Sequence, residues 1–465
     1  MGYGDPSCYG ATKIQTPNMD RLAREGMRFT DAHSCSAVCS PSRYGVMTGR
    51  YCWRSRLKSG VLWGHSRPLI EPDRLTVPKL LKRHGYATAS VGKWHLGLGW
   101  AIKPGSRHLF PDDLTTVRWI DELGDHIDYT QPITDGPNTR GFDYALNIAG
   151  SLDMRPYCFI ENGRTVGTPD REKAPYNPQQ RKGMMVEGWK DEDVDLTFAA
   201  KSCNWMSERV AADPDQPFFL YLTPSAPHRP CVPPDQFRGA SQAGLRGDMV
   251  MVVDHVVGQV LDTLDRLGVA DDTLLFVTSD NGARPCDVDG NTFGHKSCGD
   301  WRGFKADIWD GGHREPFLAR WLGHVPAGSE CDATVCLTDL MATAADLLGA
   351  DLDANAAPDS VSILPLLSGE TPDTPCRDAI VHHSVNGMFS VRQGPWKLIL
   401  GLGSGGFSQP RHEDPVPDGP QGQLYNMEDD PAETTNLWLD RPEIVERLTA
   451  IIGAYQADGR STPER

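Results

Sequence analysis

The chain has 465 residues with 39% hydrophobic and 23% charged content, the make-up of an ordinary globular protein longer than one hydrophobic core usually serves. Its 46 basic against 62 acidic residues give a net charge of −16, which argues against general nucleic-acid or anionic-membrane binding but leaves room for an anion held by a few cleft cations. No stretch approaches the roughly 20 apolar residues of a membrane span, and the twelve cysteines lack C-x-x-C pairs, so zinc ribbons and thioredoxin-like chemistry have no support.

Met1-Gly2-Tyr3-Gly4-Asp5 carries neither the basic nor the apolar region of a signal peptide. Thr16-Pro17-Asn18-Met19-Asp20 predicts a capped helix start, with Met19, Leu22 and Ala23 on its apolar face and Gly26 at its end. In Cys39-Ser40-Pro41-Ser42-Arg43, Pro41 suits a first helical turn, where its missing N–H costs nothing, so Cys39 is expected near a positive helix N-terminus. That position, with Arg43 nearby, lowers a thiol's pKa. A helix is predicted over Thr76–His84, then a strand over Tyr86–Val91. Pro217–Leu222 reads as a buried strand. The strongest helix runs from Asp248 to Leu267, with Val253, Val256, Val257, Val260, Leu261 and Leu264 at helical spacing, and a strand over Thr273–Thr278 follows it.

Helices alternating with buried strands predict an α/β fold over residues 1–375, with a mostly parallel central sheet flanked by helices. Over residues 376–465 the texture changes. Ala379–Val381, Met388–Val391 and Trp396–Leu400 are predicted strands separated by turns, and a last helix starts at Pro442, giving a smaller antiparallel sheet plus helix. The Gly-, Pro- and Ser-rich segment Gly401–Gly422 is expected as an exposed loop. Cys331 and Cys336 are one pair with a spacing open to a disulfide in an exported protein.

Three predicted strands run into polar clusters: Gly92-Lys93-Trp94-His95-Leu96-Gly97, Thr223-Pro224-Ser225-Ala226-Pro227-His228-Arg229-Pro230 and Ser279-Asp280-Asn281-Gly282. Ligands of open α/β sheets bind beyond the carboxyl ends of strands, so three clusters at one edge make a site. Asp280 and Asn281 are hard oxygen donors, suited to Ca²⁺ or Mg²⁺ rather than zinc. His33, His255 and His313 have no comparable context and stay unassigned.

The run from Cys39 to Gly49 resembles the signature C-x-P-S-R-x-x-x-[LM]-T-G of the type I sulfatases, in the alkaline-phosphatase-like superfamily. The strand-end clusters match the family's G-K-W-H-x-G, A-P-H-x-P and S-D-N-G motifs, and Trp301–Lys305 with Trp309–Phe317 resembles R-G-x-K followed by G-G-x-R-x-P-F. The resemblance implies that a maturing enzyme oxidises Cys39 to formylglycine, whose hydrate attacks a sulfate ester and forms a sulfo-enzyme intermediate. It implies that Asp280 helps deprotonate the nucleophile, that His228 and Lys305 bind the ester and protonate the leaving oxygen, and that His95 takes the proton that releases sulfate. Lys93 would bridge sulfate and residue 39, Arg43 would steady that residue, and Asp280, Asn281 and the oxygen of residue 39 would bind Ca²⁺.

Two further metal aspartates of the family normally end a first strand just before Met-Gly-Tyr-Gly-Asp. This sequence starts at that Met, Asp5 matches neither aspartate, and the first central strand is expected to be missing. Either the natural chain is longer, which would fit a periplasmic or secreted protein, or the chain is a degraded homologue; the intact catalytic positions favour the first. As given, it is expected to bind metal poorly and turn over little. The substrate is expected to be an aryl or, in preference, a carbohydrate sulfate. The alternatives are a phosphonate monoester or phosphodiester hydrolase of the same superfamily, or a non-catalytic sulfated-glycan-binding homologue. Selectivity is sought between Trp100 and Trp189, including Trp119, Tyr129, Arg140, Ser151 and Arg155.

Overall fold

The computed structural model describes residues 1–110, 123–370 and 374–463. Its strands in chain order are β1 (Met27–His33), β2 (Ala87–Lys93), β3 (Tyr144–Ile148), β4 (Ile160–Glu161), β5 (Arg164–Thr165), β6 (Arg171–Lys173), β7 (Gly183–Met185), β8 (Phe218–Thr223), β9 (Leu275–Val277), β10 (Arg314–Arg320), β11 (Ser329–Cys331), β12 (Val335–Cys336), β13 (Ile380–His383), β14 (Phe389–Gln393), β15 (Trp396–Ile399) and β16 (Gln423–Asn426). The α-helices are α1 (Pro17–Glu25), α2 (Cys39–Thr48), α3 (Val77–Arg83), α4 (Val194–Ala212), α5 (Gly244–Leu267), α6 (Leu340–Leu347), α7 (Leu364–Leu367) and α8 (Pro442–Ala457).

The central sheet is built in two halves. One has the order β5-β4-β3-β2-β8, and in it β2 pairs parallel with both β3 and β8. The other has the order β11-β1-β10-β9, with β12 also on β1; here β10 runs antiparallel to both β1 and β9. Apolar residues of α4 and α5, among them Trp205, Met206, Val260 and Leu264, cover one face of β2 and β8. On the other face Tyr44 and Met47 of α2 pack with Trp94, Phe142 and Tyr221, so α2 is clamped where the strand ends meet.

Between β8 and β9 lies a cavity of about 960 Å³. β8 and β9 have no ladder with each other, so the two halves do not join along that line.

The predicted Thr16 cap takes a different form. Its hydroxyl accepts from the Ser7 N–H at 2.8 Å, and the free N–H groups at the start of α1 donate to Asp254 of α5 instead (Met19 at 2.8 Å, Asn18 at 3.1 Å). A carboxylate from a neighbouring helix thus does the capping and locks α1 onto α5.

β13 to β16 form an antiparallel sheet in sequence order, with Ile444, Leu448 and Ile452 of α8 packed on Val381, Val391 and Leu398. A buried ion network ties this sheet to the central one. Asp310 accepts from Lys397 at 2.7 Å and from Arg314 at 3.1 Å, while Asp31 binds Arg314 and Arg392, both at 2.8 Å. The unassigned His33 and His313 belong to this network, with His313 stacked on His382 at 3.8 Å, and His255 lies against Phe237. The segment Gly401–Gly422 has neither helix nor strand, but its start is buried rather than exposed: Ser404 O accepts the Ile308 N–H at 2.8 Å.

Cys331 and Cys336 do not form the disulfide that their spacing left open. They pair with Phe29 and His33 of the same strand β1. Four residues of extended chain separate those partners by about 13 Å, far beyond disulfide reach.

Burial of neutral histidines makes the fold acid-sensitive. Burial lowers the pKa of His383 from 6.5 to about 4. The unfolded chain therefore gains protons before the folded one as pH falls, so stability is full above about 6.5 and is lost toward 4. His383 alone contributes on the order of 3 kcal/mol over that window, and His313 and His382, also lowered by burial, act in the same direction. Urea unfolding at pH 7 and pH 5 is expected to show the lower midpoint at pH 5; equal midpoints would contradict the assignment.

Candidate active site

Cys39 is the first residue of α2, placed by the extended Val38 that precedes it. Ser42 and Ser40 hold this turn. The Ser42 hydroxyl donates to Ser36 O at 2.8 Å, and the Ser40 hydroxyl accepts the Leu62 N–H at 3.1 Å. The Cys39 thiol is buried and receives the Lys305 ammonium at 3.5 Å. Burial opposes the thiolate, but Lys305 and Lys93 outweigh it and hold the thiol well below its usual range.

Arg43, one helical turn on, donates from Nε to Asp280 at 2.7 Å and from Nη1 to Lys93 O at 2.6 Å. It therefore joins α2 to the ends of β2 and β9. Asp280 is opposed by burial, yet Arg43, Lys93 and Lys305 keep its carboxyl far below the usual carboxylate range. Burial pushes the Lys93 ammonium down in turn. Gly92 has φ +122°, and a Cβ there would sit 2.1 Å from Thr223 O, so only glycine lets β2 and β8 close around Lys93.

His95 donates from Nε2 to Leu62 O at 2.7 Å, which leaves Nδ1 buried without a hydrogen bond, and the ring interacts with Cys39. Burial and Lys93 lower its pKa, so the ring is a neutral base. His228 uses Nδ1–H on Arg229 O at 2.9 Å, so its Nε2 is free for the cleft, and burial with Lys305 and Lys93 holds its pKa well below normal. The structure thus brings together all eight predicted residues, Cys39, Arg43, Lys93, His95, His228, Asp280, Asn281 and Lys305, on one cavity wall. Such a site can hold an anionic group between cations, with a nucleophile position and two histidines around it.

The family profile described as Sulfatase matches residues 1–350. The chain belongs to the sulfatase family. It is 34% identical over 497 aligned residues to the N-acetylgalactosamine-6-O-sulfatase of Bacteroides thetaiotaomicron, covering 97% of this chain and 90% of that one. It is 31% identical to human arylsulfatase A, covering 94% and 81% of the two chains. A solved 6S-sulfatase structure, titled for the metabolism of multiple glycosaminoglycans by Bacteroides thetaiotaomicron, superposes with a TM-score of 0.81 at 31% identity over 98% of this chain and 97% of that one. The phosphonate monoester hydrolase of Agrobacterium radiobacter, at 19% identity and a TM-score of 0.59, shares the fold alone. The chain is accordingly a sulfuric ester hydrolase.

In this sulfatase Asn281 Oδ1 is buried without a hydrogen-bond partner, and Asp280 beside it is ionised. An orphaned carbonyl next to a carboxylate suits a hard cation. With an oxygen on residue 39 the donor set still falls short of the six to eight that Ca²⁺ takes. Asp5 adds nothing, since it is committed to Arg246 and to His295 at 3.0 Å.

The His228 loop of the sulfatase hangs on a residue the sequence did not flag. Asp195, at the start of α4, accepts the Ser225 N–H at 2.6 Å and the Ala226 N–H at 3.1 Å, and burial raises its pKa to about 6. Asp195→Ala would leave two buried N–H groups unpaired, for a loss of about 3 kcal/mol. Turnover should fall on the order of tenfold because His228 rides on that loop. Thermal unfolding and aryl-sulfate kinetics read the two effects, and an unchanged melting temperature would refute the role.

The cavity is lined by other residues than those expected between Trp100 and Trp189 for three of the positions named. Trp119 lies outside the described residues. Trp100 donates to Gly64 O at 2.9 Å, Arg140 is buried against Asp135 at 2.6 Å, and Tyr129 hydrogen-bonds His65 at 2.7 Å, so these three pack the loop. Trp63, Asp153, Arg181, Arg229 and Phe407 line the cavity instead. Asp153 is buried between Arg229 at 3.2 Å and Arg181 at 3.3 Å, and Arg181 lies 4.3 Å over the Trp63 ring.

Proposed function

We propose that the chain hydrolyses a sulfate ester on a sugar, with residue 39 acting after its conversion to formylglycine. The observation that carries this reading is the placement of Cys39 at a helix start between Lys305 and the bare Nδ1 of His95, beside the Arg43–Asp280 pair. Formylglycine, when present and hydrated, supplies the nucleophilic hydroxyl that a cysteine lacks. Arg43 and Lys93 hold that residue and the sulfate oxygens, and Asp280 is the ionised group that accepts the attacking hydroxyl's proton.

Lys305 neutralises the charge that grows on the leaving oxygen. His228 is neutral in the free chain, with Nε2 bare; a bound anion adds negative charge beside it and raises its pKa, which lets Nε2 carry the proton for the alcohol. His95 takes the last proton, for which its neutral Nδ1 is suited. Asp280 and Asn281 would contribute to a Ca²⁺ or Mg²⁺ site that draws charge from the sulfate. The sugar preference rests on the N-acetylgalactosamine-6-O-sulfatase relative and on the polar and aromatic cavity residues Trp63, Arg181 and Arg229.

The test is a panel of sulfated sugars, aryl sulfate and aryl phosphodiester, run on protein co-produced with a sulfatase-maturing enzyme and checked for the aldehyde by hydrazide labelling. Faster turnover of a sulfated sugar by aldehyde-bearing protein is expected. Preference for the phosphodiester would replace this reading with that of a phosphodiester hydrolase.

A further inference from the structure

β3 is the parallel neighbour of β2 on the side away from β8, so its carboxyl end opens on the same edge as Lys93, His95 and the His228 loop. The loop that leaves β3 carries Asp153, whose side chain is 1% exposed yet borders the cavity. Hydrogen bonds to its carbonyls fix this loop: Gln180 donates to Leu152 O at 2.7 Å, and Arg181 Nη1 donates to Asp153 O at 3.1 Å. The fold itself therefore sets where the carboxylate stands.

The two oxygens of Asp153 have different surroundings. Arg229 at 3.2 Å and Arg181 at 3.3 Å both bind Oδ2, while Oδ1 is buried without a hydrogen bond. A carboxylate that served only to tie two arginines would use both oxygens, because a buried acceptor left unpaired costs free energy. Oδ1 instead lies 3.7 Å from Nδ1 of His228, and among the described residues Asp153 is the carboxylate in ion-pair range of that ring. In the free chain Nδ1–H is committed to Arg229 O at 2.9 Å, and burial, Lys305, Lys93 and Arg229 all disfavour a second proton on the ring. Asp153 is the opposing charge, in a buried setting where charges couple strongly.

We propose that Asp153 is a positioning residue for the leaving-group step, its Oδ1 being the counter-charge that stabilises the His228 imidazolium while Nε2 carries the proton. The inference rests on the sulfatase reading in which His228 is the proton donor. His228 gains that proton from solvent when the ester is bound. As the S–O bond breaks, its electron pair stays on the leaving oxygen, which takes the Nε2 proton and returns His228 to its neutral form. A sugar alkoxide is a poor leaving group and needs the proton, whereas a nitrophenolate departs without it, so the dependence on Asp153 follows the leaving group. Arg181 and Arg229 hold the carboxylate in place through Oδ2 and leave Oδ1 to the ring.

The experiment assays matured protein on nitrophenyl sulfate and on the sulfated sugar turned over fastest in the panel, as parent, Asp153→Asn, His228→Gln and the double variant. Asp153→Asn is expected to lower kcat/KM about 100-fold on the sugar ester and less than about threefold on nitrophenyl sulfate. Added to His228→Gln, it is expected to cost less than about twofold more on the sugar ester, because the ring it serves is gone. Asp153→Glu, which keeps the charge, is expected to run at least about tenfold faster on that ester than Asp153→Asn. Equal loss on the two esters, an undiminished loss in the His228→Gln background, or no recovery by Asp153→Glu overturns the proposal. Asp153→Ser takes the place of Asp153→Asn if the latter melts well below the parent, and unfolding of both neutral variants assigns Asp153 to the fold and overturns the proposal as well. A parent inactive on both esters fails the sulfatase reading itself, whereas a sugar-selective loss in His228→Gln without one in Asp153→Asn fails this inference alone.

Discussion

Cys39→Ala is expected to abolish sulfate release, a loss on the order of 10⁴-fold or more, in a chain that melts within a few degrees of the parent. Alanine keeps the first turn of α2, because Ser40 and Ser42 rather than residue 39 make its anchoring hydrogen bonds. What disappears is the side chain set between Lys305 and His95, and with it the residue that a maturing enzyme would modify. Aryl-sulfate turnover and a thermal melt on the same preparation check this. Retention of a tenth of the parent activity would mean that a group other than residue 39 attacks the ester.

His95→Asn should cost on the order of 10²- to 10⁴-fold in steady turnover. His95 has φ +58°, a left-handed conformation that asparagine tolerates, so the substitution removes the base with little backbone strain. In the parent, burial lowers the His95 pKa from 6.5, so the base stays neutral on acidification to below that value, and the rate falls only as pH drops past the lowered pKa. The variant is expected to lose that acid limb and to release about one equivalent of alcohol per site before stalling, because in the proposed mechanism the alcohol leaves before His95 is needed. Stopped-flow release of a chromogenic alcohol and a pH–rate profile read both features. A variant without the early release, but with the same acid limb as the parent, would assign His95 to positioning instead.

Much of the site was legible because its chemistry is local in sequence. Cys39 to Arg43 occupy one turn of helix, Lys93 ends β2 with His95 just beyond it, and His228 and Asp280 with Asn281 follow the carboxyl ends of β8 and β9. Strand ends of one sheet converge, so motifs far apart in the chain could be placed together before any coordinates. The helix α5 was also visible, four residues short at its start, since its valines repeat at helical spacing.

Other parts carried no such signal. β1, β3 and β10 are buried, and they include polar and charged residues such as Asp31, His33, Asn147, Arg314 and Glu315, which obscure a strand pattern. Those charges pair across elements distant in sequence, as Asp31 does with Arg314 and Arg392. The helix α4 was missed for a similar reason: Asp195, Lys201 and Arg209 interrupt its apolar residues. Yet Asp195 is the group that holds the His228 loop.

The sequence by itself determined the family and named the side chains that the fold gathers around Cys39, because each is written in a short motif whose chemistry depends on its own neighbours. Only the tertiary structure decided their protonation states, since the bare Nδ1 of His95 depends on Leu62 O and the ionised Asp280 on Arg43, Lys93 and Lys305. It also decided that β8 and β9 do not pair, which leaves a cavity of about 960 Å³ between them. Whether two strands pair or leave a gap is settled by distant hydrogen bonds and packing, and no local pattern along the chain encodes those.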